Sequence, residues 1–281
     1  MNDVAPPRRI WLCADDYGLS PGVNRAIRDL IGRGRLNATS VMVVGPSIGR
    51  DEVSALRSVA ADSPRCSIGL HVTLTAPFRP LTMHFRPTDG GMFWPFPKLL
   101  RAGMLRRLDP EIIQAELMVQ LAAFNEMFGR APDFVDGHQH AQLFPVVRDA
   151  FLMAVKDAAP GAWVRQGGRN QPLVRRLGAP KALVLDILSA QFRRRALRAE
   201  IAFNPGFAGA YDFSRQPDFS TLMRQFLDGL PEGGLIMCHP GFVDETLVSL
   251  DPLTTHREHE HAFLGGEHFP RLLAANKVTL G

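Results

Sequence analysis

Four groups of proton-accepting side chains in this 281-residue chain each follow a short apolar run: Asp15-Asp16 after Ile10 to Ala14, His71 after Ser67 to Leu70, Asp136 with His138 and His140 after Phe134, and His239 after Leu235 to Cys238. A carboxylate and two imidazoles, with the remaining positions left to solvent, make an open cation site of the catalytic kind. Such an ion lowers the pKa of a coordinated water toward ~7 and polarises a carbonyl oxygen. A second carboxylate beside that water can take its proton, and a histidine across from it can return one to a leaving group.

Taken singly, each residue has a structural explanation. An aspartate after a strand caps a helix or forms a turn, a histidine can sit satisfied at a strand end, and "CHPGF" at 238 to 242 reads as a Pro-Gly turn. Taken together, such groups landing at the same end of successive apolar strands are improbable as packing. Adjacent aspartates on a continuing strand point to opposite faces, so the strand is expected to end between Asp15 and Asp16. His138 and His140 stand at i and i+2, which on a strand share a face, so spacing does not separate them.

The elements that must hold these residues alternate. Ile10 to Ala14 reads as a buried strand, followed by Ser20 as helix cap, Pro21 at the first helical position and one apolar face of Val23, Ala26, Ile27, Leu30 and Ile31, stopped at Gly34. Strands are expected at Thr39 to Val44, Ser67 to Leu70, Phe134 to Asp136, Ala162 to Val164, Ile201 to Phe203, Leu235 to Cys238 and Val278 to Leu280. Helices are expected at Glu52 to Ala60, from Asp109-Pro110-Glu111 to Phe128, and at Phe144 to Val155, Leu183 to Arg198, Phe219 to Leu227 and His268 to Ala275. About eight strands interleaved with helices predict an α/β fold: one barrel-like domain of irregular TIM type over residues 1–281, with a doubly wound open sheet as the alternative. In a parallel barrel the C-terminal strand ends meet at one face, which would gather the polar groups.

Composition excludes several classes. Hydrophobic content of 46% and charged content of 21% suit a soluble globular enzyme, and a net charge of +4 without aromatic-interleaved basic patches argues against nucleic acid. Cys13, Cys66 and Cys238 form no CxxC pair and fit a reduced cytoplasmic compartment. The N-terminus lacks a signal-peptide core, and no run of 18 apolar residues suggests a membrane span. Residues Leu81 to Leu108, with Phe85, Phe93, Trp94 and Phe96 among Pro and Gly, read as an aromatic-rich insertion, either a lid or a loop packed on outer helices. Arg165, directly after a strand, is a candidate substrate contact. The aromatic content also allows a homodimer.

The segments "ADDYGLSPGVN", "IGLHVTL", "VDGHQH" and "MCHPGF" resemble, in order and spacing, the motifs of the YdjC-like (ChbG/HpnK) carbohydrate deacetylases, and the likeness runs from Ala14 to the region around Arg257. The resemblance implies a polysaccharide-deacetylase-like β/α barrel that removes acetyl groups from N-acetylated saccharides with one divalent ion. It places Asp16, His71 and His138 as metal ligands and Asp15 as general base. By analogy with related polysaccharide deacetylases, His239 is the general acid. Tyr17 stands where Phe is usual, and "DGHQH" replaces the frequent "DSHHH", which leaves His140 a rival to His138. Mg²⁺ or Zn²⁺ suits the donors, as do Mn²⁺ and Co²⁺, and affinity should fall below about pH 6 as imidazole protonates. Two other classes compete. A metal-dependent barrel isomerase or phosphoesterase would bring more carboxylates or a lysine, and a non-catalytic carbohydrate-binding protein would not need Asp15 and His239.

Overall fold

A computed structural model describes residues 6–62, 66–168, 180–213 and 218–280. Its strands are β1 (Arg8–Arg9), β2 (Trp11–Tyr17), β3 (Ala38–Val41), β4 (Ser67–Val72), β5 (Thr88–Asp89), β6 (Met92–Phe93), β7 (Phe134–Gly137), β8 (Trp163–Val164), β9 (Phe207–Ala208), β10 (Leu235–Cys238) and β11 (Val278–Thr279). Seven of them form one parallel sheet in the order β8-β7-β4-β3-β2-β10-β9, curled into a half-barrel. The helices are α1 (Pro21–Gly32), α2 (Arg50–Asp62), α3 (Phe96–Met104), α4 (Pro110–Phe128), α5 (Val147–Ala158), α6 (Pro180–Arg198), α7 (Phe219–Leu227), α8 (Glu245–Leu250), α9 (Thr255–Gly265) and α10 (His268–Ala275).

Local chemistry explains the best-read elements. Ser20 Oγ accepts from the Val23 N–H, with Pro21 at the first position of α1. Asp109 caps α4 in the same way, and Gly129 closes it in the left-handed region at φ 67°. Because parallel strands are covered on both faces, β2 is buried from Leu12 to Tyr17. Its apolar run therefore carries Asp15 and Asp16 into the interior.

Three expected strands differ. Thr39 to Val44 ends early, at Val41. Ile201 to Phe203 shrinks to a single bridge between Phe203 and Val164, and a few residues later β9 pairs with β10 on the opposite edge of the sheet. One stretch of chain thus reaches both edges where a closed barrel would have a full strand. Val278 to Thr279 pairs with Arg8 to Arg9 in a separate two-stranded sheet.

The segment at 81–108 is more ordered than its sequence suggests, holding the β5-β6 hairpin and α3. Phe85 and Phe93 are buried edge to face, 5.1 Å between ring centres. Buried Glu116 of α4 accepts from the Leu81 and Thr82 N–H groups and the Thr82 hydroxyl, which pins the segment's start. Phe93 also donates its N–H to Phe78 O, and Phe78 lies against the His138 ring at 5.9 Å. Through Phe78 the segment borders the polar cluster.

Candidate active site

The strand does not end between the two aspartates. β2 pairs with β3 at Cys13 to Ala38 and Ala14 to Thr39, slips register, and resumes at Tyr17 to Val41. Asp16 sits in the left-handed region at φ 70°, one of the few conformations that aspartate tolerates better than most residues. This bulge, rather than a strand end, lets both carboxylates face one cluster.

Asp16 Oδ1 lies 3.3 Å from His71 Nε2 and 3.0 Å from His138 Nδ1. Donor atoms of these three residues fall within 4.8 Å of one another, and this set of two imidazoles and one carboxylate fits a divalent ion. Behind them, His71 Nδ1 donates to Asp136 Oδ1 at 2.6 Å, with Ser40 Oγ 3.1 Å away, so Nε2 is the nitrogen turned toward Asp16. Burial would pull the His71 imidazole down, but Asp136 and Asp15 outweigh it and carry its pKa up to about 10.

That value revises the expected onset of proton competition near pH 6. With its pKa raised above the ordinary ~6.5 of histidine, metal-free His71 is charged from neutral to mildly alkaline pH and must lose a proton to become a ligand. Metal binding at pH 8 is therefore expected to release about one proton, with affinity rising toward pH 10. Calorimetry in two buffers of different ionisation enthalpy reads this release, and equal heats in both would contradict it. The same sign gives the metal-free fold a contribution from His71 that is fully present below pH ~6.5 and fades as pH climbs through 10.

His140 separates from His138 for a backbone reason. Residues His138–Leu143 form a 3-10 turn with Gln139 and His140 at φ 54° and 56°, not a strand, so the two rings do not share a face. The His140 ring packs on Phe207 at 5.5 Å, and burial, with Arg165 nearby, pushes its pKa down to about 3. It stands outside the donor trio.

A second group, Cys13, Asp15 and Asp136, also converges within 4.8 Å. Its cation is already present. Arg165, 1% exposed, places its two terminal nitrogens 2.6 Å from the two Asp15 oxygens, contacts Cys13 Sγ at 3.0 Å and pairs with Asp136. Arg165, expected as a substrate contact, is enclosed and engaged so that its guanidinium points at carboxylates rather than at solvent. Burial opposes ionisation of Asp15, but Arg165 and His71 overcome it and hold the carboxyl well below its usual range. Asp16 is also held low, burial being outweighed by Arg257 and His138.

His239, at the end of β10, has Nε2 4.0 Å from Asp15 Oδ2. Its N–H donates to Glu260 Oε2 at 2.5 Å, and Glu260 also accepts from the Tyr211 hydroxyl at 2.7 Å. Phe213 meets the His239 ring edge to face at 5.7 Å. The loop after His239 is seated on α1: Gly22 donates to Asp244 at 2.5 Å, and a Cβ on Gly22 would lie 2.2 Å from Phe242 O. Cys13 and Cys238 are pushed well above the usual thiol range, chiefly by burial, which removes them as nucleophiles.

Four neighbours of the cluster carry no role in the sequence reading: Ser40, Asp136, Arg257 and Glu260. Asp136 was visible inside "VDGHQH". Arg257 and Glu260 belong to "THREHEHAF" on α9, where no helix was expected, and both are 1% exposed.

The parallel half-barrel thus brings one carboxylate and two imidazoles together at its strand ends, a donor set that could hold a divalent ion. The chain belongs to the YdjC-like protein family, whose sequence profile matches residues 9–275. It is 29% identical over 246 residues to a chitooligosaccharide deacetylase of Yersinia pestis (strain Pestoides F), covering 84% of this chain and 83% of that one, and equally to one from Yersinia pseudotuberculosis serotype O:1b (strain IP 31758). A solved structure from Enterococcus faecalis V583, provisionally named for cellobiose-phosphate cleavage, superposes with a TM-score of 0.76 at 19% identity, covering 98% of this chain and 97% of that one.

Proposed function

We propose that this protein is a metal-dependent carbohydrate deacetylase that hydrolyses the acetamide of an N-acetylated, chitooligosaccharide-type substrate to acetate and a free amino sugar. The observation that carries the reading is the convergence of Asp16, His71 and His138 beside an ionised Asp15 that stands 4.0 Å from His239. Mg²⁺ or Zn²⁺, with Mn²⁺ and Co²⁺ also suited to the donors, would be held by that trio and would supply Lewis acidity to the acetyl carbonyl and to an attacking water.

Asp15 accepts the proton of that water. Arg165 grips both of its oxygens, which orients the carboxylate and keeps it charged. Arg165 thus acts through Asp15 rather than on the sugar. Asp136 holds His71 in the tautomer that turns Nε2 to the ion. His239 protonates the departing amine, and Glu260 fixes the backbone from which its ring projects. Phe78 and Phe213 give apolar walls beside His138 and His239.

Three free cysteines, two of them buried, support a reducing cytoplasmic setting. No described helix is long and apolar enough to cross a membrane. The test is acetate release from chitobiose or chitotriose in fully acetylated form. The protein loaded with divalent metal should release acetate, a chelator should stop it, and added metal should restore it. Turnover unaffected by exhaustive chelation, or none on any N-acetylated saccharide with metal present, would overturn the proposal.

A further inference from the structure

We propose that Arg257 fixes Asp16 as a one-oxygen ligand, and by doing so keeps a coordination position open for the reacting water. The inference rests on the reading of Asp16, His71 and His138 as the ligand trio. The two oxygens of Asp16 are used differently. Oδ1 is the one that faces His71 Nε2 and His138 Nδ1, whereas Oδ2 lies 2.6 Å from an Arg257 terminal nitrogen.

Arg257 is not free to follow the carboxylate if it turns. The same nitrogen is 2.6 Å from Asp251 Oδ2, its Nε donates to Leu253 O at 3.0 Å, and its backbone oxygen accepts from the Gly241 N–H at 3.1 Å. The side chain is thereby tied to the segment between α8 and α9, and the backbone beneath it to the loop that carries His239. At 1% exposure, no water replaces a lost partner. Swinging Oδ2 toward an ion would break a short charge-assisted bond and leave a buried guanidinium nitrogen with one acceptor fewer.

Two imidazoles and one carboxylate oxygen make three protein bonds, leaving a tetrahedral ion one position and a larger coordination shell more. A two-oxygen carboxylate would occupy a place that water or the acetyl oxygen needs. Arg257 is in this sense a positioning residue. A salt bridge that only ties α9 to β2 would affect stability and leave coordination alone.

The experiment compares wild type, Arg257→Met, Arg257→Lys and Asp251→Asn, each loaded with Co²⁺, by visible absorption, crystallography and steady-state kinetics. Wild type should show Asp16 bound through Oδ1 alone, with Oδ2 still on Arg257. Arg257→Met should show both oxygens on the ion, an altered Co²⁺ spectrum and a kcat about 10-fold or more lower, with KM within about twofold. Arg257→Lys should recover part of the wild-type spectrum, and Asp251→Asn, which leaves the guanidinium on Asp16, should match wild type in coordination. Two-oxygen binding in wild type, or an unchanged spectrum and kcat in Arg257→Met, overturns the inference while leaving the trio intact. If Arg257→Met does not fold, the wild-type coordination alone decides. Failure of Co²⁺ to bind the trio in wild type would instead overturn the proposed function itself, and this inference with it.

Discussion

Asp15→Asn is expected to keep its metal and lose kcat by about 10²–10⁴-fold, with KM little changed. The carboxylate lies outside the donor trio, is 2% exposed, and receives both terminal nitrogens of Arg165. Asparagine preserves the volume and one acceptor, so Arg165 keeps part of its grip and remains paired with Asp136. What disappears is the negative charge that takes the proton. Because Arg165 works against burial to hold Asp15 below the ordinary carboxylate range, and a bound cation would act in the same direction once His71 has given up its proton, no fall in activity above pH ~4 should come from protonation of this group. Metal content equal to wild type, together with a thermal midpoint close to it, would separate chemistry from misfolding. Near-native kcat would refute the assignment of Asp15 as base.

Asp16→Ala should have the larger binding effect. Losing a partner that merely supports a ligand typically costs 10–100-fold in metal affinity, and Asp16 is a member of the trio itself, so the loss should exceed 100-fold and activity should fall to background. Stability should suffer as well. Arg257 would retain Asp251 but lose its 2.6 Å contact with Asp16, and removing one partner of a buried ion pair costs about 3–5 kcal/mol when nothing replaces it. Asp16→Asn tests binding with less damage to shape. Unchanged metal affinity in Asp16→Asn, measured by competition with a chromophoric chelator, would remove Asp16 from the ligand set.

Much of this architecture is legible in the chain because the controlling signals are local. Short apolar runs ending in Asp or His mark buried parallel strands, and Ser20-Pro21 and Asp109-Pro110 announce helix starts through chemistry within three residues. Other features depend on partners distant in sequence. The bulge at Asp16 is a register slip between β2 and β3, and nothing in "ADDY" alone declares it. His138 and His140 look equivalent until the backbone turns through positive φ at Gln139. Arg165 follows a strand, as a substrate contact would, but three acceptors on β2 and β7 enclose it. The charged run of α9 hides Arg257 and Glu260, which are buried because that helix packs over the site instead of facing solvent. Periodicity distinguishes faces of a helix, yet it cannot tell a solvated polar face from one that covers other charges.

Anomalous diffraction from a crystal loaded with Zn²⁺ or Co²⁺, recorded at the metal's absorption edge, puts the ligand trio to the sharpest trial. One peak is expected, about 2.0–2.3 Å from Asp16 Oδ1, His71 Nε2 and His138 Nδ1, with Arg165 still on Asp15. A peak among Cys13, Asp15 and Asp136, ligation by His140 in place of His138, or no ordered ion at these strand ends would contradict it.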